Sequence, residues 1–126
     1  MNEVLARLER IYLQQLEVYD QVLDLADKAL QLAREARPLG ELDAILAQKR
    51  QLLSEIDRLD ELAAPDRDWS RDHDRSALES SQLRQTLGKI SLRIEEILGR
   101  EREMERWVLL RRENDRDLLA SSETGD

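Results

Sequence analysis

Apolar side chains recur every seven residues along several lines in the first third of the chain, and this pattern strongly constrains the fold. Two lines consist of Val4, Ile11, Val18, Leu25 and Leu32, and of Leu5, Tyr12, Tyr19, Ala26 and Ala33. Two more lines consist of Leu8, Val22 and Ala29, and of Leu16, Leu23 and Leu30. On a helix these lines cover an arc of roughly 140°, whereas a two-stranded coiled coil needs only a narrow seam. A helix over about residues 2–36 therefore requires two neighbours.

The composition favours a single helical domain without a nucleic-acid partner. Of the 126 residues, 38% are charged and 3% are aromatic, so leucine, isoleucine and alanine must form the core. The formal net charge is -8, and basic and acidic side chains are mixed along the chain. Binding to phosphates requires a basic face. We therefore expect a protein partner and no nucleic acid.

The sequence contains no recognisable signal peptide or membrane span. Its first ten residues are charged, and its apolar runs, such as WVLL at 107–110, are far shorter than the roughly 20 residues that cross a bilayer. Cysteine is absent, which removes disulfides and thiolate metal sites. We expect a cytoplasmic protein.

Pro38 and Gly40 predict the end of the first helix and a short connection to a second, antiparallel helix over about residues 39–63. This helix also has a broad apolar face, comprising Leu39, Leu42, Ile45, Leu46, Leu52, Leu53, Ile56, Leu59 and Leu62. Lys49 interrupts that face. We expect its stem to lie along the core while its ammonium group reaches water.

Residues 64–75 contain Pro65 and alternating aspartates and arginines, which predicts a solvated linker. A calcium loop starting at Asp66 would need glycine and glutamate where Arg71 and Ala77 stand. Ser76 and Glu79 fit a capping box, which predicts a third helix over 76–119 with Glu101 as the polar interruption of its core stripe. We predict an all-α, antiparallel three-helix coiled-coil-like bundle with long helices over residues 1–120. Its third helix overhangs the bundle beyond about residue 110, and residues 121–126 form a disordered tail.

The sequence offers no arrangement of catalytic groups. His73 is the single histidine, and no G-x-S-x-G elbow, Glu-x-x-His pair or glycine-rich phosphate loop occurs. Paired carboxylates such as Glu95 and Glu96 are typical of the solvated face of a helix. We therefore expect neither an enzyme nor a protein that holds a metal or another cofactor.

The run at 107–110 is the candidate partner-binding site, because four consecutive apolar residues point to all sides of a helix and cannot all enter one core. Exposed apolar patches with tryptophan are typical of binding surfaces. The site comprises Met104, Trp107, Val108, Leu109, Leu110, Leu118 and Leu119. Alternatively, Trp107 and Leu110 cover the end of the bundle or join a homodimer. Binding to a membrane surface is disfavoured because glutamates dilute the flanking arginines.

Residues 37–53, with the sequence RPLGELDAILAQKRQLL, resemble a stretch of the flagellar type III export chaperones of the FlgN and FliT kind. The shared features are a short turn after a long helix, an acidic and leucine-rich start, and a lysine followed by two leucines. The resemblance implies a cytoplasmic bacterial chaperone that binds a terminal helical segment of a hook-associated or filament-cap protein before secretion. It also implies that the partner binds the C-terminal helical region, here 103–119. The alternative is a structural coiled-coil homodimer or scaffold.

Overall fold

The computed structural model describes the backbone of residues 3–124 and the side chains of residues 3–76 and 79–114. It comprises α1 (Glu3–Arg34), α2 (Leu39–His73), the single-turn α3 (Arg75–Leu78) and α4 (Ser81–Thr124), and this part of the chain has no strand. The helices α1 and α2 form an antiparallel hairpin. Ion pairs join Asp20 to Arg93 and Asp27 to Arg100, so α4 runs parallel to α1. The predicted all-α bundle of three long helices is confirmed.

The core lies between α1 and both other long helices, as the wide apolar arc of α1 predicted, and it comprises two clusters that follow one another along α1. In one cluster, Val22 of α1 packs with Leu59 of α2 and Ile97 of α4. In the second cluster, nearer the start of the chain, Leu8 packs with Ala63 and Leu83. Burial of each large aliphatic side chain contributes about 1.5–3 kcal/mol, so these clusters hold α2 and α4 onto α1.

A buried amide sets the register between α1 and α2. Gln15 is almost fully buried, and its Nε2 donates hydrogen bonds to the carbonyl oxygen of Ile56 at 3.2 Å and to Oδ1 of Asp60 at 2.7 Å. A shift of one residue would leave this amide buried without partners, at a cost of about 1–3 kcal/mol. The buried amide therefore discriminates between registers more sharply than the apolar stripes do.

Lys49 and Glu101, which interrupt the apolar faces of α2 and α4, are each other's partner. Their side chains form an ion pair and are only 18% and 23% exposed, so the Lys49 ammonium does not simply extend into water as predicted. Burial lowers the pKa of Lys49, and the nearby Glu105 carboxylate acts against this shift. The pair fixes the level at which α2 and α4 face each other.

The helix α2 differs from its prediction, because it continues through residues 64–73 instead of giving way to a linker. Pro65 lacks the amide that would bond to the preceding turn. Tertiary contacts compensate for that loss: Arg7 pairs with Asp66 at 2.9 Å, and Arg67 donates to the Tyr12 hydroxyl at 3.2 Å. The Arg7 guanidinium also lowers the pKa of the Asp66 carboxyl.

The start of α4 also differs from its prediction. The predicted third helix is divided between α3 and α4, and the hydroxyl of Ser80, not of Ser76, caps the long helix by accepting a hydrogen bond from the Leu83 amide at 3.2 Å. The Ser76 hydroxyl instead donates to the Asp74 carboxylate. At its other end α4 extends to Thr124, so residues 121–124, assigned above to the tail, are helical. Residues 125 and 126 lie outside the described part.

The C-terminus of α1 uses alanine where glycine is the usual residue. Ala36 has a φ of 53°, in the left-handed region, and the Arg37 amide donates to the Leu32 carbonyl at 3.0 Å. This is the hydrogen bond of a Schellman motif, and Pro38 follows it. The turn therefore contains a strained residue.

We expect Ala36→Gly to raise the free energy of unfolding by about 0.5–1 kcal/mol, because glycine adopts positive φ without the Cβ clash. Ala47→Gly, at an exposed position inside α2, should instead lower it by about 1 kcal/mol. Urea unfolding followed by circular dichroism measures both. A loss of stability in Ala36→Gly would contradict the strained turn.

A double-mutant cycle tests the ion pair of Lys49 and Glu101. Lys49→Met and Glu101→Met should each lower the free energy of unfolding by about 1–3 kcal/mol, because each leaves a poorly solvated charge without its partner. The double variant should come within about 1 kcal/mol of the original protein, since both charges are then removed. Additive losses would mean that the two side chains do not interact.

Candidate protein-binding surface

An open cleft of about 540 Å³ lies between the N-terminal half of α2 and the C-terminal half of α4. We call it the α2/α4 cleft; its lining residues are Leu39, Leu42, Asp43, Leu46, Met104, Glu105, Val108, Leu109 and Arg112. Six of the nine are apolar, and they come from both helices. The other three are charged. The apolar side chains can therefore anchor a bound group, and the charged side chains can fix its orientation.

The cleft exists because α2 and α4 both pack along α1, whereas their backbones come close to each other almost nowhere. On α1, the buried residues Ala26 and Ala29 allow a neighbouring helix to approach closely. Between α2 and α4 stand larger side chains, including Lys49 and Met104. The two helices are therefore held apart, and their facing sides are only partly covered.

Contacts with the turn between α1 and α2 hold α4 in place beside the cleft. Nη1 of Arg111 donates a hydrogen bond to the Arg37 carbonyl oxygen at 2.6 Å. About two turns earlier on α4, Glu103 forms an ion pair with Arg34 at the end of α1. The α4 side of the cleft is thus positioned before any partner binds, which lowers the ordering cost of binding.

The structure divides the predicted partner-binding residues between two surfaces. Met104, Val108 and Leu109 line the α2/α4 cleft. Trp107 and Leu110, which are 40% and 51% exposed, instead lie beside Glu103 and Arg106 on a different side of α4. The side chains of Leu118 and Leu119, also predicted to bind the partner, lie outside the described residues. The run at 107–110 is therefore not one patch.

The α2 side of the cleft was missing from the predicted site. Leu39, Leu42 and Leu46 line it, but their apolar spacing had placed them in the core. The sequence contained a signal for this side of the cleft. Leu39, Leu46 and Leu53 recur every seven residues, and the core does not need all three of them. Leu39 remains 46% exposed in the structure, whereas Leu42 is buried.

The described residues contain no group of three or more histidine, cysteine, aspartate or glutamate side chains arranged to hold a metal ion. Within the same part of the chain, none of the helices combines the length and the apolar character that crossing a bilayer requires. The long helices carry charged residues throughout.

Comparison of the chain with models of known protein families, with curated proteins and with solved structures gives no match.

We expect the double substitution Trp107→Ala and Leu110→Ala to leave the helical content unchanged and to lower the free energy of unfolding by no more than about 1 kcal/mol. The reason is that both side chains are about half exposed and border a surface pocket lined by α4 residues. Far-ultraviolet circular dichroism and urea unfolding measure these quantities. A loss of several kcal/mol would assign the two residues to the core.

Proposed function

We propose that this protein binds an amphipathic helix of another protein in the α2/α4 cleft. The observation that carries the proposal is the exposure of leucines from both helices at that cleft: Leu39 is 46% and Leu109 is 55% exposed. An apolar surface shared by two helices and bordered by charges is the usual seat for a helix presenting anchors at i, i+3 or i+4, and i+7.

The energetics suit reversible binding. Each leucine that a partner covers contributes up to about 1.5–3 kcal/mol, but only for the part of its surface that was exposed. Association and ordering of the partner cost several kcal/mol. Four or five anchoring side chains on a pre-positioned surface therefore suit affinities in the micromolar range or somewhat tighter. Such affinity allows a partner to be held and later released.

We propose further that the partner is a hook-associated or filament-cap flagellar protein, and that this chain is its export chaperone. The support is the resemblance of residues 37–53 to chaperones of the FlgN and FliT kind. That same stretch supplies Leu39, Leu42 and Leu46, the α2 side of the cleft. A chaperone of this type acts in the cytoplasm, where a bound terminal helix cannot take part in premature assembly.

A homodimer or scaffold is the second candidate, and a separate observation favours it. Leu92 and Leu110 are 55% and 51% exposed and lie about five turns apart on one line of α4, with Trp107 nearby. This line is not part of the α2/α4 cleft. A second copy packed on it would bury the same residues in both chains.

Calorimetric titration with the terminal helical segments of hook-associated and filament-cap proteins from the same organism tests the chaperone proposal. We expect one-to-one binding to one of them at micromolar or tighter Kd. The double variant Leu39→Gln and Leu109→Gln should weaken it at least about tenfold, because polar side chains replace two anchors of the cleft.

The matched control is Leu92→Gln with Leu110→Gln, which makes the same change at two equally exposed positions outside the cleft. We expect its Kd to equal that of the original protein. Loss of binding in this control alone would place the partner on the other side of α4. No heat with any segment, together with a dimer by light scattering that the control variant abolishes, would favour the scaffold.

A further inference from the structure

The three seams of the bundle differ in how their charged side chains are used. Across the seam between α1 and α4, Arg93 pairs with Asp20 at 2.6 Å and Arg100 pairs with Asp27 at 2.9 Å. Across the seam between α1 and α2, Arg7 pairs with Asp66. These ion pairs border the core, so the charged groups that form them already have partners within the bundle.

The seam between α2 and α4 presents charges of equal sign at equal height. Arg50 and Arg102 each follow a member of the ion pair between Lys49 and Glu101, so they lie at one level on the two antiparallel helices. Asp57 lies seven residues after Arg50, and Glu95 lies seven residues before Arg102. Since seven residues are about two turns, these two carboxylates also share a level.

A third level completes the pattern at the α2/α4 cleft, where Asp43 and Glu105 line the same cavity from opposite helices. The seam is therefore bordered by an acidic, a basic and an acidic band. On α2 the bands are seven residues, or about two turns, apart, whereas on α4 Glu105 follows Arg102 after three residues and Arg112 also lines the cleft. We call these bands the charged rim; it comprises Asp43, Glu105, Arg50, Arg102, Asp57 and Glu95. Within the part of the chain whose side chains are described, no member of the rim forms an ion pair.

Leucines follow the same seam between the bands. Leu39 and Leu109 lie at the acidic band of the cleft, and Leu53 and Leu98 lie further along and are also partly exposed. The ion pair between Lys49 and Glu101 is the polar group beneath them. The surface thus has the two components of a helix-packing seam, an apolar line and flanking charges, but it lacks the opposing helix.

We propose that the charged rim selects a partner helix with a basic, an acidic and a basic residue at seven-residue intervals beside a leucine-type apolar stripe. This inference rests on the proposed function, since it takes the occupant to be a helix of another protein. Such a helix completes a four-helix bundle and gives every band an opposite charge. A slip of one heptad would place like charges together, so the rim sets the register.

Two synthetic peptides of about 21 residues, or three heptads, test this directly. Both carry the same leucine stripe, and their flanking positions read lysine, glutamate, lysine in one and glutamate, lysine, glutamate in the other. Fluorescence anisotropy of the labelled peptides with the full chain measures both Kd values. We expect the first peptide to bind at least about tenfold more tightly at low salt, with a preference that decreases at high salt.

Reversing the α2 side of the rim should abolish this preference, because each band then carries one charge of each sign. The variant Asp43→Lys, Arg50→Glu and Asp57→Lys inverts the α2 side of the rim at three exposed positions. Its matched control is Arg10→Glu, Glu17→Lys and Asp24→Lys, which reverses three exposed charges at the same spacing on α1 and changes the net charge equally. Circular dichroism verifies that both variants fold.

The outcomes separate this inference from the function on which it rests. Loss of the preference in the rim variant, and not in the control, supports the rim as the selecting element. Equal binding of both peptides to the original protein, or a preference that the rim variant retains, would overturn the inference and leave helix binding intact. No binding of either peptide would remove the proposed function itself. A dimer of the original protein that the rim variant dissociates would overturn the inference by making a second copy the occupant.

Discussion

The wide apolar arc of α1 holds the bundle together, because both other long helices pack against it and hardly against each other. Val22 and Leu8, fully buried in the two core clusters, sit on this arc. An arc of this width cannot be satisfied by one neighbour. Because α1 is central, α2 and α4 each turn one side outward, and the α2/α4 cleft lies between those sides.

Polar groups in the interior determine how the long helices align, since leucine-rich stripes alone permit several registers. Gln15 fixes α2 against α1 through two hydrogen bonds, and the pair of Lys49 and Glu101 fixes α2 against α4. Such groups add little net stability but discriminate strongly between registers. The alignment of the charged rim follows from this pair, because the basic residues at its centre are the next residues along each helix.

Periodicity was sufficient to predict three long helices, the hairpin and the two neighbours that α1 requires, because these depend on which residues avoid water. It did not predict that α2 passes through Pro65, since that depends on partners such as Arg7 and Tyr12 that are distant in sequence. It identified Met104, Val108 and Leu109 as surface candidates but not the leucines opposite them. The position of α2 decides which residues of the run at 107–110 line the cleft. The periodicity of α4 alone carries no information about that position.

The attachment of α4 mainly to α1, with few contacts to α2, has a consequence for the cooperativity of unfolding. The hairpin of α1 and α2 is joined by a short turn and has its own buried hydrogen bonds, so its contacts are local in sequence. Detachment of α4 breaks its contacts with α1, the ion pair of Lys49 and Glu101, and the hydrogen bond of Arg111 to the turn, without requiring the hairpin to open. The bundle thus consists of two units that differ in stability, the hairpin and α4. The amide hydrogens of α4 should exchange through openings that leave those of α1 and α2 protected.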